Sequence, residues 1–269
     1  MNRRYDVEHA ALRLRMKVLL ILLLIAPVGS FAQSPFDGKW VVDPVLPQKP
    51  IEFLLAQGTF HCSGCIVNVD VKADGLDHKV PAADYWDTLN VQALDSHTVE
   101  ITAKKAGKTM LTEFDEISPD GETLTQLVTD TTEADPVTIE TLFRRLEKPP
   151  PDAHLISGSW HAYLIHRSDN GSVITYKCTP QGFSGETPLG EKFNARFDGK
   201  FYPVEDDPGH TLVSAKMLNP NEVELTHKRK DKIVSVSRMT ADPDGKTLHV
   251  VFENKDTGAA TNFDFHRQP

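Results

Sequence analysis

From residue 36 onward, apolar and polar positions alternate in short runs, the period of strands that turn one face inward. Leu248, Val250 and Phe252 alternate with His249, Val251 and Glu253, and Phe263 and Phe265 alternate with Asn262, Asp264 and His266. Earlier in the chain, Ile139, Thr141 and Phe143 share one side. In the C-terminal half the segments 158–166, 171–178, 191–197, 201–204, 210–218, 222–229, 232–241, 246–253 and 260–267 read as strands. Asp-Gly begins at 37, 74, 120, 198 and 244, and there glycine supplies the positive φ of a tight hairpin turn. No long segment carries a helical period, although Ile51–Gln57 would fit a turn or two of helix.

The pattern occurs twice. Val99-Glu100-Ile101-Thr102 returns as Val223-Glu224-Leu225-Thr226, and Pro119-Asp120-Gly121-Glu122-Thr123-Leu124 returns as Pro243-Asp244-Gly245-Lys246-Thr247-Leu248 at the same spacing. Gly38-Lys39-Trp40 matches Gly158-Ser159-Trp160, and Thr59-Phe60-His61-Cys62 matches Thr175-Tyr176-Lys177-Cys178, at slightly shorter spacings, as loop insertions would produce. Several matched blocks in one order indicate a tandem duplication. The expected domains are 33–147 and 156–269, joined by a linker over 148–155 in which Pro149, Pro150 and Pro151 favour a stiff extended spacer. About eight short antiparallel strands per copy suit a closed barrel, which leaves no strand edge unpaired. The expected fold class is therefore all-β, two tandem antiparallel barrels of about eight strands each.

Each copy opens with Gly-x-Trp (Gly38 and Trp40, Gly158 and Trp160) and closes with an arginine on the apolar parity of its last strand (Arg145, Arg267). This signature resembles the lipocalins and the wider calycin group, in which a first-strand tryptophan is capped by a last-strand arginine. The indole face attracts the guanidinium while the arginine donors satisfy nearby carbonyls. The Ala-Asp-Gly and Pro-Asp-Gly-x-Thr-Leu turns resemble a group of secreted bacterial lipocalin-like proteins of uncharacterised function. The resemblance implies that Gly38, Trp40, Arg145, Gly158, Trp160 and Arg267 are structural. It also implies that any ligand site lies at the opposite end of a barrel. Candidate lining residues are Trp86 and Leu89 in the first copy and Phe193 and Phe197 in the second, although residues of this kind are more often ordinary core than pocket.

The first 32 residues stand apart. Arg13, Arg15 and Lys17 precede the apolar run Val18–Ala26, and Ser30-Phe31-Ala32 places small residues where a signal peptidase cuts. They read as an export signal cleaved near Ala32, with Met16 as an alternative start. The run is too short to span a bilayer, so no membrane span is expected after cleavage. A secreted or periplasmic protein is the expectation. The 269-residue chain has 29 basic and 38 acidic side chains, a net charge of −9, which argues against nucleic acid as a partner. The basic stretch His227–Lys232 reads as a solvated hairpin tip.

Three cysteines in an exported chain allow one disulfide. Cys62-Ser63-Gly64-Cys65 has the spacing of a redox pair, yet strand-like residues follow it where an activating helix N-terminus would be needed. A zinc site would need more ligands than the adjacent His61. A local disulfide between Cys62 and Cys65 is preferred, with Cys178 either buried or paired across copies. Hydrolase, metalloprotease, phosphate-loop and dinucleotide signatures do not occur, and no catalytic residue, metal site or cofactor is expected. Two functional expectations follow. One is a carrier of a small apolar molecule, and the other is a cell-envelope interaction module with filled barrels. An enzyme would require polar groups converging inside a barrel.

Overall fold

The computed structural model describes residues 34–47, 49–65, 68–80, 85–256 and 258–268. The export signal read over residues 1–32 lies outside the described residues. The first half of the described chain forms β1 (Gly38–Val42), β2 (Ile51–Ala56), β3 (Thr59–Ser63), β4 (Val69–Lys72), β5 (Asp77–Lys79), β6 (Thr88–Ala93), β7 (Thr98–Lys105), β8 (Lys108–Ile117), β9 (Thr123–Asp130) and β10 (Val137–Arg145). The second half forms β11 (Gly158–Arg167), β12 (Val173–Thr179), β13 (Gly182–Glu186), β14 (Lys192–Arg196), β15 (Tyr202–Glu205), β16 (Leu212–Asn219), β17 (Glu222–Arg229), β18 (Lys232–Ala241), β19 (Thr247–Asn254) and β20 (Ala260–Arg267). A single 3-10 turn at Asp169–Ser172 is the only helical element among the described residues. None of their helices could cross a membrane.

These strands make two antiparallel, barrel-like sheets of ten strands each, not eight. The C-terminal sheet closes on itself in the order β1 then β12 through β20. The N-terminal sheet runs β4-β3-β2-β11-β10-β9-β8-β7-β6-β5, and its end strands β4 and β5 are not hydrogen-bonded to each other.

The two Gly-x-Trp strands have changed places relative to the expected domains. Strand β1 inserts between β12 and β20 of the C-terminal barrel, while β11 lies between β10 and β2 of the N-terminal one. The proline-rich stretch over 148–155 is therefore the loop of the β10–β11 hairpin, within one sheet, and does not separate the barrels. His154 fixes this loop: its backbone N–H donates to the Leu55 carbonyl at 2.8 Å, and its Nε2 lies 2.6 Å from the Asp95 carbonyl. The chain passes between the barrels from β1 to β2 and from β11 to β12. Hydrophobic period identifies such a strand but is blind to which of two equivalent neighbours it will join.

Two further differences are local. Ile51–Ala56 is a strand, not a helical turn: Phe53 and Leu55 point inward, and Gln57-Gly58, both at positive φ, turn directly into β3. Strand β13 occupies Gly182–Glu186, where two glycines hide the alternation. Gly185 is required there, because a Cβ would lie 2.5 Å from the Phe193 ring on β14.

Each barrel has its own core. Phe53, Phe60, Leu89, Val91, Ile101, Leu124 and Trp160 fill the first, and Phe36, Trp40, Phe183, Val213, Leu225, Met239 and Leu248 the second. Burying these side chains drives closure, at roughly 25 cal/mol per Å² of apolar surface.

Candidate functional site

Both barrels are sealed at one end by the same device. Trp160 and Trp40 are each 0% exposed, and each indole N–H donates to a carbonyl four residues earlier, Ile156 and Phe36, at 2.8 Å. Arg145 stands opposite Trp160 in the strand register, with its guanidinium carbon 3.9 Å from the ring centroid; Arg267 stands opposite Trp40 at 4.3 Å. The guanidinium forks then satisfy loop carbonyls. Arg145 donates to Ser157 at 2.8 Å and Leu155 at 2.6 Å, and to Gly121. Arg267 donates to Gly245 at 2.5 Å and Pro35 at 2.7 Å, and to Asp37. The glycine of each Gly-x-Trp leaves room for this fork. At Gly38 a Cβ would lie 2.5 Å from Arg267 Nη1, and at Gly158 it would lie 2.3 Å from the Glu147 carbonyl oxygen.

Away from this cap the C-terminal barrel encloses a cavity of about 390 Å³. Its floor is apolar, with Ile174, Phe193, Leu225, Met239, Val250 and Phe263 among the residues that line it. Its mouth is polar. Arg229 Nε donates to the Thr211 hydroxyl at 2.7 Å, and its Nη2 donates to the hydroxyl of Tyr85, whose ring it also covers at 4.8 Å. Tyr85 comes from the segment preceding β6, so the N-terminal barrel contributes to the mouth of the other. Asp207 is held by the backbone N–H groups of Gly209 at 2.9 Å and Thr211 at 2.6 Å. His227 hydrogen-bonds the Ser235 hydroxyl at 3.3 Å, and burial together with the neighbouring Arg229 lowers its pKa to about 4. It is therefore neutral at pH 7. Burial and nearby Asp207 raise the Glu191 carboxyl above its ordinary value.

The N-terminal barrel holds a smaller cavity of about 280 Å³. Phe53, Phe60, Trp86, Leu89 and Phe143 line it, and so do Glu113, Gln126 and Thr141. The disulfide hairpin of Cys62 and Cys65 forms part of its wall. Cys178, the repeat partner of Cys62, is a free thiol in the other barrel, and burial raises its pKa.

Of the lining residues expected from sequence, Trp86 and Leu89 face the N-terminal cavity and Phe193 the C-terminal one. Phe197 packs against the C-terminal core without lining the cavity. The two pairs thus belong to two separate interiors.

No protein-family model, curated protein or solved structure matches this chain. Its functional reading rests on these interiors.

Sequence reasoning missed the polar members of both. The basic character of His227–Lys232 points to an exposed hairpin tip, but His227 and Arg229 line the C-terminal cavity. They continue the inward parity of Val223 and Leu225, and the turn itself is Lys230-Asp231, both at positive φ. The same parity, followed through Leu111, Glu113, Asp115 and Ile117, would have placed a carboxyl pair inside the first barrel. Phe114 on the opposite face obscured it. Among the described residues no group of three or more His, Cys, Asp or Glu side chains is arranged to hold a metal ion.

Proposed function

We propose that the protein is an exported, lipocalin-like binding protein that carries a small amphipathic molecule inside its C-terminal barrel. The supporting observation is the cavity of about 390 Å³, apolar at its floor and polar at its mouth. That volume lies within the range of small-molecule sites, about 300–1,000 Å³. A hydrocarbon or aromatic body would rest against Leu225, Met239, Val250 and Phe263, and a polar head would meet Arg229, His227 and Tyr85. Because His227 stays neutral, it can offer a hydrogen bond without adding charge to an apolar interior. The export reading draws support from the basic-then-apolar N-terminus and from the Cys62–Cys65 disulfide, a bond favoured in oxidising compartments.

Titration calorimetry of the purified chain with dodecanoate, a single-chain amphiphile, tests this reading. Saturable one-to-one binding that Leu225→Trp abolishes is the expected result, since the indole would fill the floor. Absence of binding, or binding that L225W leaves intact, would contradict it.

A further inference from the structure

The first barrel carries interior polar groups that its fold does not need. Strand register equates Glu113 with Ser237, Asp115 with Met239, Gln126 with Val250 and Thr141 with Phe263, because Ile101 pairs with Glu113 as Leu225 pairs with Ser237, and the adjoining strands continue in step. The second barrel closes around an almost wholly apolar version of these four positions. In the first, Asp115 is 0% exposed and sits behind the cavity wall beside Glu113 and Gln126, and neither of its carboxylate oxygens completes a hydrogen bond of ordinary geometry with them. Glu113 accepts one hydrogen bond, from Gln126 Nε2 at 2.9 Å, and both side chains line the cavity. Trp86 lines the same cavity, and its buried indole N–H has no acceptor. An unmet buried polar group costs about 1–3 kcal/mol, more if charged.

We propose that the cavity of the N-terminal barrel is a second binding site, selective for a small organic ammonium ion held between Glu113 and the aromatic wall, with the Asp115 carboxyl behind Glu113 adding to the negative charge. The ammonium N–H groups would donate to the Glu113 carboxylate and to the side-chain oxygen of Gln126 or Thr141. The apolar body would pack on Phe53, Phe60 and Trp86, whose ring faces also attract a cation. A hydroxyl or carbonyl on the ligand would accept from Trp86 Nε1. Charge complementarity favours a cation over a neutral guest. Among the described residues the one cation lining the cavity, Lys49, is exposed, which leaves Glu113 without a buried counter-ion there. Burial raises the pKa of both Glu113 and Asp115, and their mutual repulsion adds to the shift at Asp115. A bound ammonium would reverse that shift. At about 280 Å³ the site takes a smaller guest than its neighbour.

The test is calorimetric titration of the full chain at pH 7 with 2-phenylethylamine, 2-phenylethanol and phenylacetate, which share one aromatic body and differ in charge. The amine should bind at least tenfold more tightly than the alcohol, with phenylacetate not binding. Glu113→Gln should weaken the amine at least tenfold, and Asp115→Asn, which removes the charge behind it, by a smaller factor. A preference for the amine below tenfold overturns the proposal, and so does amine binding unaffected by either variant. If neither variant folds, the comparison of amine with alcohol on the unaltered chain decides alone.

Discussion

Arg267 lies over Trp40, with its guanidinium carbon 4.3 Å from the ring centroid, although the two residues stand at opposite ends of the described chain. The contact pins the N-terminal strand into the C-terminal barrel, and Arg145 over Trp160 repeats it in the other barrel. Each arginine combines a cation–π contact with donors to at least three loop carbonyls. Arg267→Ala or Arg145→Ala should therefore cost about 2–4 kcal/mol. Lysine should not restore the loss, since it lacks the planar fork that reaches those carbonyls together. Denaturant unfolding of the single variants checks both statements.

The two glycines beside the caps should respond unequally to alanine. Both hold φ in a region that side chains rarely adopt, +134° at Gly38 and +120° at Gly158. A Cβ at Gly38 would meet the end of a flexible arginine, whereas at Gly158 it would meet backbone, the Glu147 carbonyl. Gly158→Ala should cost at least about 2 kcal/mol, and more than Gly38→Ala. Thermal melts of the two variants measure the difference.

Protonation of His227 opposes folding. Its folded pKa of about 4 lies below the ordinary 6.5, so the unfolded chain binds the proton more tightly. Stability contributed by the neutral ring is present above 6.5 and is lost as pH falls toward 4, up to about 3 kcal/mol. His227→Gln should flatten the stability profile across that interval. Chemical denaturation from pH 7 to 4 reads it directly.

Asp115 acts in the opposite direction. Its raised folded pKa means that it destabilises the fold as pH rises above the ordinary carboxyl value. Asp115→Met, which installs the residue of the sister barrel, should raise stability at pH 7 by about 1–3 kcal/mol. The gain should shrink as the solution is acidified and the aspartate becomes protonated. A variant less stable than the parent at pH 7 would show that the carboxyl has a structural role.

Much of this architecture is legible in the alternation of side chains. Asp-Gly joins paired strands at 120, 198 and 244, whereas Gly38 opens β1 and Asp74-Gly75 links β4 and β5, which do not pair with each other. All nine C-terminal segments read as strands fall within two residues of the observed bounds at each end, and only β13 went unread there. The pairing of Cys62 with Cys65 also follows from spacing. The exchange of β1 and β11 does not, because duplicated strands carry the same period and fit either barrel. The interiors were partly hidden for a different reason. Residues such as Arg229 and Glu113 look solvent-facing by chemistry, and only their place in the inward series assigns them to a cavity. Phe197 shows the converse, an apolar residue that reads as lining and serves as packing.

A C-terminal barrel built to hold a guest should keep that guest through purification. Native mass spectrometry of the chain purified from its own host measures this most directly. It should show one small-molecule adduct, present on the parent and missing from L225W. An adduct-free parent spectrum, or an adduct carried equally by both proteins, would contradict it.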